Sequence, residues 1–286
     1  MVDRNEVLEQ RTRTGGLNDY VPSFPRFSTV DPMCGGTPWL SPYACCAGNP
    51  VMYTDPSGAI PSPAEAACMA AHIYGDMEDD ILIGGWEKTK DNLGLALDNS
   101  KGLKSAIYAR KDKDGNALEY AYVMAGTELE FEDIAADALQ VFGLSGQYDN
   151  ALNNANRIIE YINYIGGSEL TYVGHSMGGG QAALNSIVTD RNAVTFNAAG
   201  LSPATLLRYN VLTESQSTID AYIMMTDPLN ILQDACRFKP GLGLYPVNGN
   251  RSYLIPTDIS SLVKGHSIDS VLKSFGVDPQ KYKIKK

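Results

Sequence analysis

Histidine is scarce in this chain. Its 286 residues hold three, His72, His175 and His266, so any chemistry that needs an imidazole must use one of them. Positive charge is also short: 23 Lys and Arg stand against 33 Asp and Glu, a formal charge of −10. Such a chain is poorly suited to replacing the counterions on nucleic-acid phosphates, so no nucleic-acid partner is expected. For the same reason membrane contact is expected to be transient and interfacial rather than electrostatic. No apolar run approaches the roughly 20 residues of a spanning helix. The opening residues, MVDRNEVLEQRTRTGG, contain no apolar core of a secretion signal, so the chain is expected to be made in the cytoplasm without a cleaved signal peptide. The five cysteines, Cys34, Cys45, Cys46, Cys68 and Cys236, are odd in number and show no CxxC pair. Neither a disulfide framework nor a metal site is expected from them.

What is present is an ordinary globular balance, 44% apolar and 20% charged, with room for one large domain and a small appendage. Residues 15–63 are rich in Gly, Pro and Tyr and read as turns and short extended pieces. The pattern changes at Pro63. Residues 64–77 read as a helix and residues 82–126 as strands, with Asp114-Gly115 marking a hairpin turn. Ala151, Ala155, Ile158, Ile159, Ile162 and Ile165 fall at helical spacing over 150–165, closed by Gly166-Gly167. Strands are expected at 169–176, 193–200 and 218–226, with a helix that starts at the serine and continues over 181–188 and another over 228–235. A last short helix should cover 268–275, capped by Ser267, and the basic end KYKIKK reads as a solvated tail. Strands alternating with helices imply an α/β fold: a mainly parallel sheet flanked by helices, behind a short irregular N-terminal segment.

Between the strand at 169–176 and the next helix lies Gly174-His175-Ser176-Met177-Gly178, a G-x-S-x-G sequence in strand–turn–helix context. A serine on so sharp a turn has a strained backbone, and neighbours carrying a Cβ would collide there, which explains Gly174 and Gly178. The helix that follows points its unpaired N–H groups at the serine.

A nucleophilic serine needs a base. His175 is its immediate neighbour and should point away, and His72 lies in the helix before the alternating core. His266, on a loop after the last expected strand, is the candidate base. The base needs a carboxylate. Asp227, before Pro228 at the end of a predicted parallel strand, is the first candidate and Asp234 the second. Asp227 can also cap the helix it precedes. The order Ser176, Asp227, His266 is that of the α/β-hydrolases. An oxyanion hole would draw one N–H from Met177 and another from the end of an earlier strand at Gly126-Thr127. Residues 128–156 add Glu128, Glu130, Glu132, Asp133, Asp137 and Asp149 with no Lys or Arg, a setting unfavourable to anionic substrates.

Residues 82–275 resemble the class 3, fungal-type lipases. The resemblance rests on AGTELEFEDIAAD (125–137), YVGHSMGGGQAAL (172–184), VTFNAAGL (194–201), MTDPLNIL (225–232) and GHSIDSV (265–271). It departs at Ile134, where the family usually has an aromatic residue. The resemblance implies a serine esterase acting on lipid esters, with Ser176 as nucleophile, Asp227 and His266 as its partners, Thr127 and Met177 at the oxyanion hole, and no cofactor or metal. A thioesterase, amidase or acyltransferase would use the same residues, and a silent binding module could keep the same fold.

Residues 26–58 resemble the end of the core found in Rhs-repeat proteins, with Asp55-Pro56-Ser57-Gly58 matching its second Asp-Pro motif and Asp31-Pro32-Met33-Cys34-Gly35 approximating the first. That resemblance implies a division into a 1–62 core remnant and a 63–286 hydrolase domain. It also implies a bacterial toxin role for the latter, export through a toxin-delivery system, and a neutralising immunity protein as partner.

Overall fold

Two strands, β1 (Tyr20–Val21) and β2 (Arg26–Phe27), pair antiparallel in the first of two units, Met1–Ser62. The computed structural model describes residues 20–21, 26–27, 61–75, 81–98, 102–126, 145–211, 215–236, 245–280 and 283–284. The Asp-Pro motifs at 31–35 and 55–58 lie outside the described residues.

The second unit, Pro63–Lys286, begins with α1 (Pro63–His72) and a 3-10 turn at Ile73–Gly75. Strands β3 (Ile81–Leu82), β4 (Trp86–Lys88), β5 (Ser105–Lys111) and β6 (Ala117–Met124) follow. Residues 82–126 thus hold strands, as expected, with a turn at 83–85 in addition to the hairpin. Gly84 and Gly85, both with positive φ, turn the chain between β3 and β4. The β5–β6 hairpin turns at Gly115, φ +87°, where the Asp112 carboxylate accepts the Asp114 and Asn116 N–H groups.

From β6 onward the chain alternates: α2 (Ser145–Tyr164), β7 (Glu169–His175), α3 (Met177–Thr189), β8 (Ala193–Phe196), α4 (Pro203–Arg208), β9 (Ile219–Met224), α5 (Pro228–Cys236) and β10 (Asn250–Leu254). Two short helices, α6 (Ile259–Val263) and α7 (Ile268–Ser274), precede β11 (Lys283–Ile284). The basic end is therefore partly an edge strand. β11 pairs antiparallel with β3, so His266 follows the last parallel strand but not the last strand of the chain.

The sheet runs β10-β9-β8-β7-β6-β5-β4-β3-β11. The neighbouring pairs from β6 to β10 are parallel, and the remainder is antiparallel. Period-two alternation splits the core. Ala121 and Val123 of β6 face a layer that includes Ala66, Met69 and Ala70 of α1 and Val271 and Leu272 of α7. Tyr120, Tyr122 and Met124 face Ala151, Ala155, Ile158 and Ile162 of α2 and Ala182, Ala183 and Leu184 of α3. On the antiparallel side Arg110 is buried between Glu119 of β6 and Glu65 of α1, beneath Trp86. A mixed sheet, parallel from β6 to β10, with helices on both faces and a serine turn between β7 and α3, is the α/β-hydrolase arrangement. Among the described residues no helix is long and apolar enough to cross a membrane.

Candidate active site

Strand β7 ends at His175 because Ser176 leaves the extended region, with φ +57° and ψ −124°. A non-glycine residue in this conformation costs about 1–3 kcal/mol and persists only where its surroundings over-determine it. They do so here. The Ser176 N–H donates to the Phe196 carbonyl at 3.0 Å, and the Ser176 carbonyl accepts from Gly179 at 3.0 Å and Ala199 at 2.9 Å.

The glycines around the turn answer to space. A Cβ on Gly174 would strike the Gly178 carbonyl, and one on Gly178 would strike the carbonyls of Met124 and Ala125. A Cβ on Gly179 would come within 2.6 Å of the Ala198 Cβ, and one on Gly180 within 2.6 Å of the Tyr148 hydroxyl. Gly178, Gly179 and Gly180 belong to α3, which starts at Met177, directly after the serine as the sequence implies. The helix tolerates about 1 kcal/mol per glycine because only glycine lets it approach β6 and β8 this closely. The Met177 N–H has no hydrogen-bond partner among the described residues.

The Ser176 Oγ lies 2.9 Å from Nε2 of His266, and Nδ1 of His266 lies 2.7 Å from Oδ1 of Asp227. Residues on three separate loops, after β7, after β9 and after α6, thus meet at the carboxyl ends of the parallel strands. Asp227 is fully buried. Its carboxylate also accepts the N–H groups of Leu229 and Asn230, both at 3.2 Å, and the Asn230 side-chain amide. One residue therefore serves both the first turn of α5 and the imidazole. Asp234 does not face His266; it accepts from Arg251 at 2.6 Å.

The other histidines are engaged elsewhere. His72 meets the Tyr108 hydroxyl at 2.8 Å. His175 lies with Nε2 2.7 Å from the His266 carbonyl and Nδ1 2.8 Å from the Tyr74 hydroxyl. Burial first, and then the nearby His266 ring, push its pKa down to about 3.

Gly126 sits at the end of β6, against the serine. A Cβ placed on it would come within 2.7 Å of the Ser176 Cβ. Thr127 and the acidic positions from Glu128 to Asp137 lie outside the described residues. Asp149 is paired with Arg208 at 2.8 Å and Tyr209 at 2.7 Å.

Three contributors are not marked in the sequence reading. Tyr74 bridges His175 and Gly126, accepting the Gly126 N–H at 2.8 Å. Asn197 has φ +44°, and its amide donates to the carbonyls of Gly265 at 2.9 Å and His266 at 3.2 Å. Asn230 completes the cage of Asp227. Its position three residues after an Asp-Pro is a helix-start signal that could have revealed it. Asn197 directly follows an apolar strand, where asparagine tolerates the left-handed region. Tyr74 carries no local signal, because its partners are 52 and 101 residues away.

Over 136 residues the chain is 34% identical to the extracellular phospholipase A1 of Serratia liquefaciens, a match spanning 44% of this chain and 39% of that protein. The native Rhizomucor miehei lipase propeptide complex is similar with a TM-score of 0.46 and 13% identity, covering 86% of this chain and 87% of that one. A triacylglycerol lipase from Penicillium expansum is similar with a TM-score of 0.45 and 13% identity, covering 69% and 80% of the two chains. Residues 65–270, from the first turn of α1 to within α7, match the phospholipase-like family described as the Tle-like phospholipase domain. The matched span takes in Ser176, Asp227 and His266, and the chain belongs to the family of Tle-like phospholipase domains.

Proposed function

We propose that the chain hydrolyses carboxylic esters of phospholipids by acyl transfer through Ser176. The observation that carries this reading is the hydrogen-bonded line from Ser176 Oγ through His266 to Asp227, at 2.9 and 2.7 Å. In this mechanism Oγ attacks the ester carbonyl as Nε2 of His266 takes its proton. Asp227 holds the Nδ1–H and stabilises the imidazolium. The imidazolium then protonates the leaving alcohol, and an acyl-enzyme remains. Water, deprotonated by the same Nε2, attacks the acyl group and returns Ser176 with release of the carboxylic acid. The Met177 N–H stabilises the oxyanion, with Thr127 as the second donor.

The family supports a phospholipid substrate, and so does the rim around the base loop. Helix α6 carries its apolar side chains outward, with Ile259 82% and Val263 76% exposed, and its Ser261 inward. Leu262 of the same helix, Ile255 before it and Met225 of the turn before Asp227 are exposed as well, and the Thr226 hydroxyl ties the helix to that turn by donating to the Ser261 carbonyl at 2.9 Å. Apolar residues displayed beside a reaction centre suit brief contact with a lipid surface.

The resemblance of residues 26–58 to an Rhs core supports a wider setting, in which residues 63–286 are a bacterial toxin domain, made in the cytoplasm, exported by a delivery system and restrained in the producer by an immunity protein. The test of the chemistry is fatty-acid release from phosphatidylcholine vesicles. Wild type should release it and Ser176→Ala should not. Undiminished release by Ser176→Ala would overturn the reading.

A further inference from the structure

We propose that His175 and Tyr74 are positioning residues that hold the base loop and the end of β6 in one register with Ser176. The inference rests on Ser176 and His266 acting as nucleophile and base.

The proton positions follow from the partners. The His266 carbonyl can only accept, so the His175 proton lies on Nε2, 2.7 Å away. His175 is 6% exposed and stays neutral well into acid, so Nδ1 carries a lone pair. The Tyr74 hydroxyl, 2.8 Å from Nδ1, must therefore donate to it. Its oxygen is then the acceptor for the Gly126 N–H at 2.8 Å. The chain runs one way: Gly126 N–H to Tyr74, Tyr74 O–H to His175, His175 Nε2–H to the His266 carbonyl.

The two ends of this chain are the two parts that must be placed against Ser176. At one end the Gly126 backbone packs against the serine side chain, and Tyr74 fixes the direction of its N–H. At the other end is the backbone of the residue whose ring is the base. His175 joins them because its main chain leads directly into Ser176. Asn197 holds the Gly265 and His266 carbonyls from the other side, so the loop is gripped by side chains from the ends of both β7 and β8. Groups within such a network polarise one another and act together rather than singly.

The expected signature is a loss of kcat without a loss of substrate binding, since misplacement by about 1 Å can cost on the order of 100-fold in rate. The experiment measures kcat and KM on a soluble monomeric ester, per folded molecule as judged by thermal melting. The variants are Tyr74→Phe, His175→Leu, His175→Gln, the double variant Tyr74→Phe with His175→Leu, and Ser176→Ala. Tyr74→Phe and His175→Leu should each lower kcat about 10- to 100-fold with KM changed less than about threefold. The double variant should be no worse than about threefold below the weaker single, because the chain is already broken. His175→Gln, whose amide offers one donor and one acceptor, should recover at least about fivefold over His175→Leu. Unchanged kcat in the folded single variants, multiplicative losses in the double, or no recovery by glutamine would overturn the inference. Full activity in Ser176→Ala would instead overturn the assignment on which it rests.

Discussion

Asn230 occupies Oδ2 of Asp227 with both its backbone and its side-chain nitrogen, leaving Oδ1 to face Nδ1 of His266 at 2.7 Å. The buried carboxylate is thus oriented before it meets the imidazole. Asp227→Asn should lower kcat about 10⁴-fold, because an amide in that place favours the wrong histidine tautomer. Asn230→Ala should cost less, about 10-fold, since two backbone N–H groups still hold the carboxylate. Asp234→Asn should leave kcat within about twofold, because that side chain serves a partly exposed pair with Arg251. Steady-state kinetics on a soluble ester would separate the three. A larger loss from Asp234→Asn than from Asp227→Asn would reverse the assignment.

His175 makes stability depend on pH. Its ordinary value is 6.5, and burial brings it to about 3 in the folded chain. Between these values the unfolded chain binds a proton that the folded chain refuses. The stability present above about pH 6.5 is therefore lost progressively as pH falls toward about 3. Melting temperatures measured across this window should fall with pH in wild type and fall less steeply in His175→Gln. Parallel slopes in the two proteins would contradict the argument.

The turn at Ser176 should tolerate no side chain at Gly178. The Cβ would meet the Met124 and Ala125 carbonyls, which are backbone atoms fixed by the sheet. Gly178→Ala should cost about 3 kcal/mol, or a drop of about 5–10 °C in Tm, against a much smaller effect for Gly166→Ala. A Cβ at Gly166 would meet nothing within 4 Å, and only its φ of +109° resists the change. Equal drops would show that crowding is not what selects glycine at 178.

Much of this arrangement is legible in the sequence, for identifiable reasons. The parallel half of the sheet shows itself because buried strands such as 170–175 and 193–196 are apolar runs punctuated by glycine and polar turns. The Ser176 turn, Asp227 and His266 can be read because each sits at a boundary marked by local chemistry: flanking glycines, a following proline, a glycine before the loop. The antiparallel half was blurred, since Gly84 and Gly85 interrupt it with a turn that periodicity does not reveal. The edge strand β11 was hidden because Lys283 and Ile284 sit within a lysine-rich end that resembles a solvated tail. Tyr74 and Asn197 act across long separations, and no nearby residue announces their role.

The outward apolar face of α6 should matter at a lipid surface and nowhere else. Ile259→Asp with Val263→Asp should reduce fatty-acid release from phosphatidylcholine vesicles about 10-fold or more, while hydrolysis of a soluble short-chain ester stays within about twofold. With a chain charge of −10, wild type should also favour zwitterionic over anionic vesicles at low salt, a preference that salt should weaken. Equal losses on vesicles and on the soluble ester would show that the helix supports the site rather than contacting lipid.

The central claim is that Ser176 is the nucleophile. A fluorophosphonate probe that traps activated serines, followed by peptide mapping of the adduct, tests it without reference to the natural substrate. Wild type should carry one adduct, on Ser176. Labelling should disappear in Ser176→Ala and fall by orders of magnitude in rate in His266→Ala, since residues of such a unit fail together. An adduct on any other serine, or labelling undiminished in folded Ser176→Ala, would contradict the account.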